Sequence, residues 1–153
     1  MIIIVDYGMG NLHSVLKAFK RIGAEVTASK KVSDIEVADK LVLPGVGYFK
    51  QGMKNLKKLG LIEVLNKKVV KDKIPILGIC LGMQLITNHS EEGNVNGLGW
   101  INAKTIKLKL DNKFKVPHMG WNDIIIKKKS NLLEGIKVKE QFYFVHSDRK
   151  SVV

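Results

Sequence analysis

The chain has 153 residues and a mass of 17.1 kDa, enough for one domain and too short for two of ordinary size. At 45% hydrophobic and 26% charged it is not composed like a disordered chain, no apolar run reaches the roughly 18 residues that span a bilayer, and its single cysteine excludes a disulfide framework or a multi-cysteine zinc site. Lys and Arg number 26 against 14 acids, a net charge of +12, but the lysines are dispersed rather than clustered with aromatics, which favours a solvated surface over a nucleic-acid face.

Residues 1–5 form a continuous apolar run cut by Asp6, with no basic leader before it. That reads as a buried parallel strand rather than a signal peptide, and places the protein in the cytoplasm. Gly8 and Gly10 then turn the chain, and Asn11 is suited to cap a helix carrying Leu12, Val15, Leu16 and Phe19 on one face. Gly23 ends that helix. Residues 25–28 and 40–43 read as strands, the second stopped by Pro44-Gly45-Val46-Gly47. Phe49, Met53, Leu56 and Leu59 have helical spacing, residues 61–70 continue as a second helix, 74–79 as a strand and 81–88 as a helix.

After Glu91 the texture changes to short alternating stretches at 103–110, 114–118, 123–127 and 141–145, with turn signals at Asp111-Asn112 and Asn131. These predict antiparallel strands. The fold class expected is therefore α/β: an open, mostly parallel sheet flanked by helices, followed by a β-rich antiparallel second half. Residues 1–147 are read as one domain and 148–153 as an atypical tail.

The sharpest local feature is Gly78-Ile79-Cys80-Leu81-Gly82, a strand running into a potential nucleophile and a helix running out. This is a nucleophile-elbow pattern with cysteine in place of serine. The glycines would let strand and helix approach without a Cβ clash. A helix N-terminus suits an anionic sulfur, and the N–H of Leu81 could bind an oxyanion. The competing reading is a small buried packing residue, as free cysteines commonly are.

Pro44-Gly45-Val46-Gly47 ends another strand, where its backbone N–H groups could face a ligand or simply make a turn. Asp6-Tyr7-Gly8-Met9-Gly10-Asn11 lies on the same edge, but position 13 is His rather than Gly, so it is no dinucleotide fingerprint. No cofactor and no metal is expected. Candidate bases are His118 and His146, each following a β-stretch; His13 sits early in a helix and His89 at the end of one. The residues provide a nucleophile without an evident base.

Together these residues resemble a class I (triad) glutamine amidotransferase, and more narrowly the glutaminase subunits of imidazole glycerol phosphate synthases. The matching pieces are Asp6-Tyr7-Gly8-Met9-Gly10-Asn11-Leu12, Pro44-Gly45-Val46-Gly47, Gly78-Ile79-Cys80-Leu81-Gly82-Met83-Gln84, Pro117-His118-Met119-Gly120-Trp121-Asn122 and Tyr143-Phe144-Val145-His146-Ser147. The resemblance implies that Cys80 attacks the side-chain amide of glutamine. It implies an oxyanion hole from the backbone of Val46, Gly47 and Leu81, and a glutamine site formed by Gly47, Leu81, Gln84, His146 and Ser147. It also implies a heterodimer with a (β/α)₈-barrel cyclase that receives the ammonia, with Asn11, Pro117, Met119 and Trp121 near that interface, and a role in histidine biosynthesis.

The departure is at the end. The family continues for several tens of residues to a His-x-Glu pair that supplies base and orienting carboxylate. Here Ser147 is followed by Asp148-Arg149-Lys150-Ser151-Val152-Val153 where a tyrosine is usual. The expectation is a C-terminally truncated chain with negligible glutaminase activity. Two alternatives are a subunit feeding ammonia to surface-sugar amidation and a non-catalytic remnant that binds the barrel partner.

Overall fold

A computed structural model describes residues 1–109, 116–128, 130–136 and 139–152. Its first strands follow the expected order, but a short helix at Val32–Glu36 is unforeseen by the pattern and the helix expected over 61–70 turns π-helical from Lys67. β1 (Ile2–Val5) leads to α1 (Leu12–Arg21), β2 (Val26–Ser29), α2 (Val32–Glu36) and β3 (Lys40–Leu43). Then come α3 (Phe49–Lys58), α4 (Leu61–Asn66), one π-helical turn at Lys67–Lys71, β4 (Ile76–Gly78) and α5 (Leu81–Leu85). The side chain of Asn11 accepts from Ser14 N at 3.1 Å and so caps α1, while Gly23 takes the left-handed turn (φ 75°) that ends the segment.

β1 to β4 make a four-stranded sheet in the order β2-β1-β3-β4, parallel throughout, with Ile2 opposite Val26 and Lys40, and Leu43 opposite Gly78. Ile3, Val5, Leu41 and Leu43 turn one face into a core with Phe49, Leu56, Leu61, Leu65, Leu81 and Leu85. Ile4 and Val42, of opposite parity, are also buried. A sheet covered on both sides explains why its strands read as unbroken apolar runs rather than as alternation. The strand order reverses between β1 and β3, and in open parallel sheets ligands bind outside the carboxyl ends of the strands at such a point.

The next part departs from expectation. The helix after Cys80 spans only Leu81–Leu85, and Thr87–Ser90 is instead a strand, β5. With β6 (Val95–Asn96), β7 (Ile101–Lys107) and β10 (Asp148–Val152) it forms a second sheet in the order β10-β7-β5-β6. β5 runs antiparallel to β6 but parallel to β7, so not every later strand is antiparallel. Thr87 and Thr105 are buried with their hydroxyls 3.3 Å apart, a polar pair that helical periodicity could not have predicted. The tail 148–152 is itself the edge strand of this sheet.

The last ribbon is β8 (His118–Asp123) against β9 (Gln141–His146), antiparallel, with a 3₁₀ turn at Asn131–Leu133 between them. Residues 124–127 are not a strand. The turn expected at Asp111-Asn112 and the start of the strand expected at 114–118 lie outside the described residues. By contact density the chain divides into two compact units, 1–106 with 150–153, and 107–149.

Candidate active site

The carboxyl ends of β1, β3 and β4 in the first unit bring three loops together. After β4, Ile79 N donates to Leu43 O at 3.0 Å, and the next residue, Cys80, adopts φ 52°, ψ −115°. Positive φ is strained for a residue with a Cβ. The strain has a local cause. Gly78 packs against the first turn of α5, where a Cβ would lie 2.6 Å from Met83 Cα, and a Cβ on Gly82 would strike Leu43 O. Strand and helix therefore cross at backbone contact, and the chain can pass between them only through a sharp corner. Cys80 stands at that corner and is exposed, which is not the setting of a packing cysteine. With only five residues, α5 contributes little macrodipole, so the helix-end argument for an anionic sulfur is weaker than the sequence suggested.

The loop after β3 faces this corner. Gly45 is buried, whereas Val46 and Gly47 are exposed. The Leu81 N–H donates to Gly45 O over 3.3 Å, so the amide expected to bind an oxyanion is engaged, through a long bond, by the very loop expected to share that task. The loop after β1 closes the other side. Gly10 (φ 113°) lies so close that a Cβ there would be 3.2 Å from Gly45 N.

Beneath both loops lies Tyr7, 1% exposed, whose hydroxyl donates to Pro44 O at 2.7 Å. Burial pushes its phenol well above the ordinary range, and nearby Cys80 adds to the effect. Glu92, two residues past β5, accepts from Phe49 N at 2.8 Å and so caps the start of α3 directly after this loop. Sequence reasoning missed both Tyr7 and Glu92. Tyr7 was read only as part of a glycine-rich turn, and Glu92 is 43 residues from the amide it meets. Gln84 sits one turn along α5 from Cys80, whose carbonyl accepts from Gln84 N at 3.2 Å.

His118, His146, Pro117, Met119, Trp121 and Ser147 belong to the second unit. On one face of its ribbon His118 Nδ1 is 3.0 Å from His146 Nε2. His146 Nδ1 reaches the Asp148 carbonyl at 2.6 Å, and Asn122 Nδ2 reaches His118 Nε2 at 2.6 Å. A carbonyl only accepts and an amide NH₂ only donates, so for neutral rings the network assigns one tautomer to each: His146 holds its proton on Nδ1 and His118 on Nδ1. All four ring nitrogens are then engaged, and neither ring offers a free lone pair to a thiol.

On the other face Met119, Trp121, Tyr143 and Val145 are all more than half exposed, and the Trp121 and Tyr143 rings meet edge to face at 5.6 Å. Two histidines are followed two residues later by an acid, His89 by Glu91 and His146 by Asp148; sequence reasoning missed the first pair and wrongly denied His146 such an acid. His89 lies on β5 rather than at a helix end, with Nε2 3.0 Å from Asn94 Oδ1. Among the described residues of the first unit no histidine is hydrogen-bonded to Cys80, and no cluster of three or more potential metal ligands occurs among the described residues.

Known proteins give this geometry its context. The family model for class I glutamine amidotransferases matches residues 3–151. A protein of Methanococcus maripaludis named imidazole glycerol phosphate synthase subunit HisH 2 is 53% identical over 159 residues, covering 100% of this chain and 79% of that protein. HisH 1 of Campylobacter jejuni strain 81-176 is 53% identical over 96% of this chain and 74% of its own length. HisH 2 of Pseudomonas aeruginosa is 47% identical over 96% and 73%. Among solved structures, one described as a glutamine amidotransferase superposes with a TM-score of 0.71 at 19% identity, over 96% of this chain and 71% of that one, a likeness of fold. The exposed cysteine at a strand–helix corner, the facing glycine loop and these matches agree: the chain belongs to the class I glutamine amidotransferase family.

Proposed function

We propose that this chain is the glutaminase component of an imidazole glycerol phosphate synthase, a cytoplasmic enzyme of histidine biosynthesis, and that it passes ammonia to a (β/α)₈-barrel cyclase. The observation that carries the chemistry is Cys80, exposed and held at φ 52° on the β4–α5 corner. The pathway rests on the named relatives.

The Cys80 sulfur adds to the side-chain carbonyl carbon of glutamine, the thiol proton passes to the departing nitrogen, the carbon–nitrogen bond breaks, and ammonia leaves. Water then hydrolyses the glutamyl thioester to glutamate and regenerates the thiol. The tetrahedral oxyanion takes the Leu81 N–H from Gly45 O, which a 3.3 Å bond makes inexpensive, and gains N–H donors from Val46 and Gly47. Gly47, Leu81 and Gln84 hold the substrate, and Asn11, Pro117, Met119 and Trp121 meet the cyclase. A glutamine-shaped chloroketone is expected to alkylate Cys80, with glutamine protecting it; alkylation indifferent to glutamine would count against the reading.

No His-x-Glu follows Ser147 in these 153 residues. Proton transfers that supply about 10²- to 10⁴-fold are then missing from this stretch of chain, and by itself it should release ammonia negligibly. Robust Cys80-dependent release, followed by coupled glutamate dehydrogenase, would contradict this. Growth of a histidine auxotroph on the natural gene with its cyclase tests the pathway, and failure to grow would favour surface-sugar amidation.

A further inference from the structure

We propose that the Tyr7 hydroxyl is a positioning group for the oxyanion loop, holding the Pro44 carbonyl so that the Gly45–Gly47 backbone turns towards the Leu81 amide. The inference rests on the glutaminase reading above and adds a residue from outside the loop and the elbow.

Pro44 has no N–H, so the start of the loop can be tied down only through its carbonyl. That carbonyl receives a buried hydrogen bond of 2.7 Å from Tyr7. The tyrosine is fixed from behind as well, since Asn55 Nδ2 donates to its own carbonyl at 3.0 Å. The room for the hydroxyl exists because residue 45 is glycine. A Cβ there would press on Tyr7 Oη, stand 2.9 Å from Leu81 Cβ and stand 3.0 Å from Gly82 N. The phenol, the loop and the elbow therefore converge on one point. A phenol is already protonated at neutral pH and burial pushes its titration higher still, so the Tyr7 hydroxyl remains a donor at working pH. Removing an oxyanion donor outright typically costs about 10²- to 10³-fold. Tyr7 acts through the loop, so a smaller effect of about tenfold is expected.

The test uses the full chain and its single cysteine. The γ-aldehyde of glutamic acid adds the Cys80 sulfur to its carbonyl carbon, the C=O π bond becomes the oxyanion and the thiol proton passes to buffer. The adduct is read as protection of Cys80 from iodoacetamide, which needs no oxyanion hole. Comparing variants cancels the analogue's own cyclisation. Tyr7→Phe should weaken aldehyde protection about tenfold, while the unprotected alkylation rate and protection by glutamine itself change less than about twofold. Equal loss for aldehyde and glutamine, or unchanged aldehyde affinity, would overturn the proposal.

Should Tyr7→Phe fail to fold, Gly45→Ala drives the hydroxyl off Pro44 O from the opposite side. The same selective loss is expected, and full aldehyde affinity in that variant would refute the role. Wild-type Cys80 that iodoacetamide labels but the aldehyde never protects has a different meaning: the glutaminase reading itself fails and takes this inference with it.

Discussion

A residue held at φ 52° with a Cβ stores strain of about 1–3 kcal/mol, and at Cys80 that backbone strain falls on the residue proposed to react. Glycine relieves it and alanine does not. Cys80→Gly should therefore exceed Cys80→Ala in stability by about 1 kcal/mol in urea unfolding, although neither can form a thioester. Equal midpoints and slopes for the two would show that the corner is unstrained.

The close approach of Gly82 to Leu43 O gives a prediction of opposite sign. Gly82→Ala should cost at least about 2–3 kcal/mol, because the new methyl group meets the Leu43–Pro44 backbone, which cannot swing aside as a side chain can. Tyr7 makes stability depend on alkali. Its folded phenol titrates above its unfolded value, so its contribution is intact below about pH 10 and is lost as pH rises towards the folded value. Stability should fall above that pH, and less steeply in Tyr7→Phe; identical alkaline limbs would contradict the assignment.

Among the elements, one polar contact is local and another is tertiary. Asn11 caps α1 through a 3.1 Å bond to Ser14 N, and Asn11→Ala should cost about 1 kcal/mol, largely recovered by Asn11→Asp. Lys68, 9% exposed in the π-helical turn, donates to Glu36 O at 3.0 Å and lies 3.6 Å from Asp72 Oδ2, tying that turn to α2. A sequence window reads Lys68 as surface, because the pattern cannot show that α2 ends with an open carbonyl beside it. The same limit misplaced the element after Leu85. Residues 81–88 have helical apolar spacing, but Leu98 N donates to Leu85 O at 2.8 Å and Gly97 N to Asn88 O at 3.0 Å. The returning chain thus takes over the backbone groups a longer helix would have used. β7 runs parallel to β5 for a reason equally invisible locally, since strand direction is set by where the connection leaves the chain.

For the molecule as a whole, the exposed face of the β8–β9 ribbon is the feature that asks for a partner. Met119 lies opposite Val145 and Trp121 opposite Tyr143, four apolar side chains 53–65% exposed on one side of two strands. If this is the cyclase-facing surface, Trp121→Ala should weaken association at least tenfold, or about 1.4 kcal/mol, in a titration with the cyclase. Unchanged affinity would move the interface elsewhere. Sequence resemblance pointed to Met119 and Trp121, whereas Tyr143 and Val145 joined them only through the cross-strand register.

The sequence by itself determined the parallel strands and the helices α1 and α3, and it singled out Cys80 as the candidate nucleophile. Those features are written in local signals: apolar runs, helical spacing, and glycines bracketing a cysteine. Tertiary structure alone decided that Cys80 is exposed and strained and that the Leu81 amide is engaged by Gly45. It likewise decided that a tyrosine 37 residues from Pro44 fastens the loop, and that both nitrogens of His118 and His146 are occupied. The reason is physical. Periodicity reports which side of an element is apolar, but a hydrogen bond depends on distances of a few tenths of an ångström between groups far apart in the chain, and only the packed fold sets those distances.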